Sequence, residues 1–487
     1  MNTKLLKQKI LDLAIRGKLT QQLKSDGTAA DLLKEICDRT QEKTSLRAKR
    51  GNPSPQTIIP LDKSEAPFEI PANWEWVRLG DVAYIASGST PSKDCFVERG
   101  VPYLKMYNLR NQQIDFEYKP QYIKREIHEG KLARSKAKPG DVIMNIVGPP
   151  LGKVAIVPES LPECNFNQAA VLIRAHFCTN LMNQYIRYFL LQMDEINAIN
   201  TKGTAGQENI SLTQTQNMRL PLPPLAEQQR IVAKIEEAFA EIEAIEKNRG
   251  LLKTHIKQTR QKILDLAIHG KLVPQNKSDE PASVLLERIT RDNPHYEKLT
   301  DIPFEIPDSW EWVKLGDVCK PIKRGKSPKY IEQSNVLVFA QKCNQKDGPV
   351  SLEKALYLDE STLNKYPKEE FLQKGDVVIN STGTGTLGRV GYFNVDLPQN
   401  IKGIVPDSHV TTIRSVYVNP YYLYCFLKNK QTYLEKNGEG STNQKELKPH
   451  TIYDLEFPLP PLAEQKRIMD RIEEIFASLD EISLHLV

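Results

Sequence analysis

PLPPLAEQQRI at 221–231 returns as PLPPLAEQKRI at 458–468, and the reading of this repeated stretch decides the architecture. Proline has no amide hydrogen and crowds the turn before it, so a helix can start only after Pro224. From Leu225 to about Leu272 no further proline occurs. The apolar residues step by four and three: Ile231, Ile235, Ala238, Ile242, Ile245, then Leu252, Ile256, Ile263 and Leu266, with Arg249 and Thr259 interrupting. Sustained spacing of this kind predicts a long helix in a coiled coil. Roughly 45 residues would make a rod on the order of 70 Å. The alternative, an amphipathic helix lying on a globular core, fits the length and the regularity less well.

Working outward, QKILDLAIRGKL at 8–19 recurs as QKILDLAIHGKL at 261–272, and FEIPANWEWVRLGDV at 68–82 as FEIPDSWEWVKLGDV at 304–318. Between these markers the likeness thins to islands. GSTP at 88–91 faces GKSP at 325–328, GDVIMN at 140–145 faces GDVVIN at 375–380, and GTAGQENI at 203–210 faces GSTNQKEL at 440–447. A repeat this long is no solenoid; it is one large module duplicated, with fixed joints and divergent interiors. By the offsets, Val487 corresponds to Gly250 and Met1 to Thr254. The C-terminal and N-terminal helices are therefore expected to meet end to end and rebuild a second rod, antiparallel to the central one.

The predicted order is a helix at 1–20, a connector at 21–67, a first domain at 68–223 and the central helix at 224–272. A second connector at 273–303, a second domain at 304–460 and a C-terminal helix at 461–487 complete it. Both connectors carry a short helical patch, AADLLKEI and ASVLLERI. The basic stretch KTSLRAKRGNPSPQ at 43–56 is expected to be a solvated linker, with a phosphate-touching arm as the alternative. In the interiors, DVIMNIV, KVAIV, AAVLIRA, DVVIN, RVGYF and HVTTIR predict strands, and NQYIRYFLLQM and PYYLYCFLKNK predict helices. The fold class is mixed α/β: two similar domains joined by long antiparallel coiled-coil helices in a pseudo-two-fold, circular arrangement.

The 487 residues, 40% hydrophobic and 26% charged, have ordinary globular composition. No apolar run approaches the roughly 18 residues of a membrane span, and the charged N-terminus does not match a signal peptide. Seven scattered cysteines without CxxC predict reduced thiols in a cytoplasmic protein and no zinc site. A net charge of +5 permits a nucleic-acid partner without requiring one.

Catalytic signatures fail one by one. GTGTLG at 383–388 follows a strand but precedes another strand, RVGYF, and not the helix a dinucleotide site needs; a tight β-turn is expected. GPPLGK at 148–153 is one residue short of a P-loop. NPYY at 419–422 resembles an amino-methyltransferase tetrad, but Tyr421 replaces the second proline, and Pro420 suits the first turn of a helix. No HxxxH pair occurs, and no nucleophile–base set is apparent. The pairs Trp74/Trp76 and Trp310/Trp312 sit in the repeated joint, which predicts core anchors ahead of platforms for a flipped base. The acidic helix residues Glu236, Glu237, Glu241, Glu243, Glu473, Glu474, Asp480 and Glu481 are expected to be solvated flanks, or else a surface that repels nucleic acid or docks partner subunits.

PLPPLAEQ-R-I leading into a helix, QKILDLAI-GKL closing it and WEWV-LGDV opening each interior resemble the specificity subunit of type I restriction–modification systems, over essentially the whole chain. The resemblance implies two target recognition domains, each reading one half of a bipartite site in double-stranded DNA, held apart by the paired helices. It also implies two methyltransferase subunits bringing S-adenosylmethionine to adenine N6, and two restriction subunits using ATP and Mg²⁺. It implies no catalytic residue and no cofactor on this chain. The alternatives are a coiled-coil scaffold that binds protein, and a fused DNA methyltransferase or nuclease; the second lacks a cofactor loop.

Base edges are matched by Arg, Lys, Asn and Gln, and phosphates by other cations. The GxSP and GxTP turns, whose amides could approach phosphate, nominate Ser89, Thr90, Lys326 and Ser327, with Arg324 from the cationic run KPIKRGKSPK. The 119–138 segment is likewise cation-rich. YLKMYNLRNQ at 103–112 faces FAQKCNQKDG at 339–348 and nominates Lys105, Asn108, Arg110, Lys342, Asn344 and Lys346. The Gln-bearing loops add Gln207, Asn209, Gln444 and Lys445.

Overall fold

A computed structural model describes residues 2–47, 58–199, 208–293, 296–299, 302–346, 349–383, 385–441 and 444–486. The chain divides into two compact units, Met1–Asn248 and Arg249–Val487. The helix Leu225–Ile268, 44 residues long, runs through the boundary.

In the first unit the entry and exit of the domain pair with each other. The strand Glu75–Arg78, from WEWVR, lies antiparallel to Arg219–Leu222, with Trp76 opposite Pro221. A two-stranded ribbon tolerates proline because each strand has a free edge. The main sheet is antiparallel in the order Val154–Ile156, Val142–Asn145, Ala170–Ala175, Ala83–Ser87. A second sheet runs Asn165–Phe166, Val101–Leu104, Tyr122–Ile123, Phe96–Val97, and its first pair is parallel. VIMN is a continuous apolar run up to its asparagine because both of its faces are covered. Val142 and Met144 join the core shared with the helices Thr3–Ile15, Ala29–Arg47 and Thr179–Gln192, whereas Ile143 joins Leu104 and Phe166 between the two sheets.

The second unit repeats this. Glu311–Lys314 pairs with Glu456–Leu459. The main sheet is Val390–Phe393, Asp376–Asn380, Val410–Ser415, Cys319–Arg324, in the same relative order as in the first unit. The second sheet is Tyr330–Ile331, Leu356–Leu358, Val336–Phe339, Gly403–Pro406. Val377 and Ile379 face the helical core and Val378 the other. The helix Pro420–Asn429 opens on Pro420, and the Asn419 side chain caps it by accepting from the Tyr421 amide at 2.8 Å. NPYY is thus a helix cap.

The duplicated markers meet in each unit as one joint. Trp74 is buried and its indole N–H donates to Glu227 at 2.8 Å; Gln22 donates to the same carboxylate at 2.5 Å. Trp310, Glu464 and Gln275 repeat this at 2.9 and 2.5 Å. Arg230 clasps Asp26 and Arg467 clasps Asp279, each at 2.6 Å. The connector helices start from the same place: the Ala29 amide donates to Asn73 and the Ala282 amide to Ser309, both at 2.9 Å. Burial pushes the Glu464 carboxyl above its usual range. All four tryptophans are buried core anchors, as their place in the joint predicts.

On the long helix, Ile231, Ile235 and Ile242 are buried in the first unit, and Ile256 and Ile263 in the second. Ile245 and Leu252 are exposed, so the apolar seam is covered towards its ends and open near its middle. In the first unit Lys7 reaches Glu246 at 3.4 Å. In the second, Arg260 reaches Asp480 at 2.5 Å, on the helix Leu462–Leu484. Of the basic linker stretch, residues 43–47 close the helix Ala29–Arg47 and the remainder lies outside the described residues.

The GDV turns at 140–142 and 375–377 each hold a buried aspartate. Arg174 donates to Asp141 at 2.7 Å, and Arg414 to Asp376 at 2.7 and 2.8 Å. Asp376 is 1% exposed and also accepts from the Gln373 amide. Removing one partner of such a pair leaves a buried charge uncompensated. Asp376→Ala is therefore expected to cost about 3–5 kcal/mol, read as a lower urea midpoint for the second unit. An unchanged midpoint would show that water reaches Arg414 freely.

Candidate nucleic-acid interface

In an antiparallel sheet, loops at one end come alternately from strand starts and strand finishes, so residues far apart in the chain gather there. In the first domain that end collects the 88–91 turn, the 109–114 hairpin, the 147–153 loop, the 167–169 turn and Glu208–Asn209. Hydrogen bonds stitch them together. Gly88 donates to Ala170 at 3.1 Å, Ile146 to Ala169 at 2.9 Å and Ile210 to Ile146 at 2.9 Å. The Val154 amide donates to the Gln112 side chain at 2.8 Å. Glu208–Asn209 pairs antiparallel with Val147–Gly148.

The second domain gathers the corresponding segments. Gly325 donates to Val410 at 2.9 Å, Ser381 to His409 at 2.8 Å and Leu447 to Ser381 at 2.8 Å. Thr382 bridges to Glu446, and the Thr386 hydroxyl donates to Gln341 at 2.9 Å. Gly383 and residues 385–388 of GTGTLG lie in the connection of the hairpin formed by Asp376–Asn380 and Val390–Phe393. The expectation of a turn holds, and a strand follows it.

The glycine of each GxS/TP turn is required by close approach. A Cβ on Gly88 would lie 2.2 Å from the Asn167 carbonyl, and one on Gly325 would lie 2.3 Å from that of Asp407. This closeness corrects one expectation. The first amides of the turn are not free for phosphate, because Gly88 and Ser89 donate to Ala170 and Phe166 and Gly325 donates to Val410. The side chains remain. Thr90 is exposed and bonded to Gln168, Ser89 is half-buried, and Ser327 is exposed.

The cationic candidates fall into two groups. Arg324 is paired with Glu446 and the Ser408 carbonyl. Lys326 reaches Glu370 at 2.7 Å beside the Lys323 pair, and lies over the Tyr366 ring. Burial pushes Glu370 up, but these two lysines bring its carboxyl below the usual range. Lys342, Lys346 and Lys445 are exposed, as is Asn209, and the three lysines form no ion pair with another described residue. Lys105 is half-buried beside Phe96, and Arg110 is half-exposed over Tyr118. Gln207 and the side chain of Gln444 lie outside the described residues.

Asn108 and Asn344 turn inward, each 1% exposed. Asn108 accepts from the Lys105 amide at 2.9 Å and donates to the Asp115 and Tyr118 carbonyls. Asn344 donates to Asn380 and to the Arg389 carbonyl. They shape the loops that carry Arg110 and Lys346.

Sequence reasoning missed the 167–169 and 407–409 turns, which bring Gln168 and an exposed His409 into the cluster; the His409 ring meets Thr382 at 2.5 Å. The signal was present, as Asn167 and Gln168 directly before AAVLIRA, and as Asp407 and Ser408 before HVTTIR with His409 its first residue. Burial pushes the Asp407 carboxyl up. Elsewhere, His128, Glu129 and Glu163 bring ligand atoms within 4.8 Å. The His128 Nδ1 is engaged by Asn165 at 2.5 Å and Glu129 by Lys136, so this group is held by partners within the chain.

The arrangement is suited to binding: two like-folded domains, each presenting amide, hydroxyl and cationic side chains on loops at one end of a rigid sheet. Among the described residues, no helix is long and apolar enough to cross a membrane. Residues 71–253 and 307–484 match the type I restriction modification DNA specificity domain. The EcoAI specificity subunit of Escherichia coli is 24% identical over 547 residues, covering 98% of this chain and 90% of the relative. The MjaVIII specificity subunit of Methanocaldococcus jannaschii is 24% identical, covering 84% and 87%. The HsdS subunit of Thermoanaerobacter tengcongensis shares the fold with a TM-score of 0.51 at 21% identity, over 87% of this chain and 94% of that one. A chain from a structural study of complex assembly in the type I R-M system aligns with a TM-score of 0.57 at 22% identity, over 86% and 94%. With both halves matched, the chain belongs to the family of type I restriction modification specificity subunits.

Proposed function

We propose that this chain is the non-catalytic, DNA-reading subunit of a type I restriction–modification complex, and that each domain reads one half of a bipartite double-stranded site through its loop cluster. The observation that carries this reading is the recurrence of one sheet topology with one set of clustered loops, whose contact residues differ between copies. A shared frame with different side chains suits two different half-sites.

On this reading the long helix pairs, as an antiparallel coiled coil, with the N-terminal and C-terminal helices. The circular order of the chain and the contacts of Lys7 and Arg260 support the pairing. The paired helices hold the half-sites in register and dock two methyltransferase subunits, for which the exposed Ile245 and Leu252 are apolar footholds. S-adenosylmethionine acts on those partners, and ATP and Mg²⁺ on two restriction subunits. The complex works in the cytoplasm.

The test is methylome mapping of a methylation-deficient host expressing this chain with its methyltransferase partner, and again without the chain. A bipartite N6-methyladenine motif should appear only with the chain. Identical methylation without it would move the protein-binding scaffold ahead.

A further inference from the structure

The loop 105–119 of the first domain stands apart from its counterpart. After the turn Met106–Asn108, the short strands Leu109–Arg110 and Gln113–Ile114 pair around Asn111 and Gln112, whose φ values are 50° and 59°. Two left-handed residues in a two-residue hairpin turn normally call for a glycine at the second position, and here it is glutamine. Lys119 is also left-handed at 55°, so three of the five such non-glycine residues described fall within this loop. Backbone strain of this kind persists only where the surroundings impose it.

The surroundings do impose it. Asn108 is buried beneath the loop and ties Lys105, Asp115 and Tyr118 together. Leu109 is buried between the sheets, and Gln112 accepts from Val154. The Tyr107 hydroxyl donates to the Lys119 carbonyl at 3.2 Å.

What is held in place is Arg110. Its guanidinium lies 4.3 Å from the centroid of the Tyr118 ring. That ring is wedged edge-on by Tyr107 at 6.0 Å, and its backbone amide donates to Asp115 at 3.2 Å. The second Asp115 oxygen stands 3.6 Å from Arg110 Nη1, longer than a charge-assisted hydrogen bond of about 2.7–2.9 Å. Asp115 therefore orients the guanidinium without using up its donors, and the Arg110 side chain is 50% exposed. A phosphate contact needs charge but no fixed plane. A planar fork held by a ring and a carboxylate fits the paired acceptors O6 and N7 of guanine.

We propose that Arg110 reads one guanine, in the major groove, of the half-site taken by the first domain, with Tyr118 and Asp115 as positioning residues. This rests on the DNA-reading function proposed above. The second domain carries Lys346 at the matching position and no aromatic residue in 345–354, so the contact belongs to one half-site only.

The experiment uses the full chain with its methyltransferase partner and duplexes carrying the mapped site. Each guanine is replaced in turn by 7-deazaguanine or by an A·T pair, and binding is read by fluorescence anisotropy. Wild type should lose about tenfold to a hundredfold at one guanine of the first half-site. Arg110→Lys, which keeps the charge, should lose the discrimination at that position alone, with an unchanged salt slope. Tyr118→Ala should weaken discrimination at the same guanine, and Tyr118→Phe should restore it. A first half-site without guanine overturns the proposal. So does an Arg110→Lys protein that discriminates everywhere as wild type does, or one whose defect falls in the second half-site or is uniform across sequences. Wild type that does not distinguish site from non-site DNA would overturn the DNA-reading function itself, whereas discrimination intact in Arg110→Lys overturns only the role of Arg110.

Discussion

Gly270→Ala is expected to destabilise the second unit by roughly 2–5 kcal/mol, the sum of two separate penalties. Gly270 has φ +65°, and an L-residue forced into the left-handed region gives up about 1–2 kcal/mol. The added Cβ would also lie 2.4 and 2.6 Å from ring carbons of Pro307 and 3.2 Å from Trp310. Overpacking of this kind costs about 1–3 kcal/mol, and Trp310 is held in place by its hydrogen bond to Glu464. Gly17 repeats the geometry in the first unit at φ +64°, with Pro71 at 2.4 Å, so Gly17→Ala should cost the same. Gly250 is the control. It lies within the long helix with open space around its Cβ position, so Gly250→Ala should stabilise by about 0.5–1 kcal/mol. Urea unfolding of the three variants decides it: a Gly270→Ala midpoint at or above that of Gly250→Ala would mean that the joint does not depend on the close approach of these segments.

Four residues inserted between Lys247 and Gly250 should change which spacing between half-sites is methylated, while leaving both half-site sequences as they were. Four residues add about 6 Å along a helix and turn its far end by roughly 40° beyond a full revolution. At about 3.4 Å per base pair, the preferred gap should lengthen by a base pair or two. The effect is large because a duplex with the old gap can then engage only one domain at a time, and the advantage of simultaneous binding is lost. Methylome mapping with the insertion variant reads it directly. The same spacing after insertion would show that the long helix does not set the register.

The duplication was legible because its markers were written twice. Two copies of WEWV-LGDV and of PLPPLAEQ bracket each interior, and their recurrence placed the joints without knowledge of any contact. Strands such as DVVIN were legible as unbroken apolar runs because both faces of the main sheet are buried. The site was less legible. Arg110, Lys342, Lys346 and Lys445 are indeed exposed. Asn108 and Asn344 looked equally available, yet they are buried. An asparagine in a polar stretch carries no mark of which way it turns. That depends on whether carbonyls seven to forty-five residues away, at Asp115, Tyr118 and Arg389, come within reach.

By itself, then, the sequence determined the duplication, the presence of a long helix beginning after Pro224 and the mixed α/β class of both domains. Each of these follows from local periodicity or from self-comparison, which need no third dimension. Only the tertiary structure decided that Trp74, Glu227 and Gln22 share one hydrogen-bonded joint and that turns such as 88–91 and 167–169 sit side by side. It also decided that the Arg110 fork rests on Tyr118 beside Asp115. The physical reason is common to all three: a buried hydrogen bond or a ring contact forms between whichever groups folding brings within a few ångströms, and their separation along the chain does not announce it.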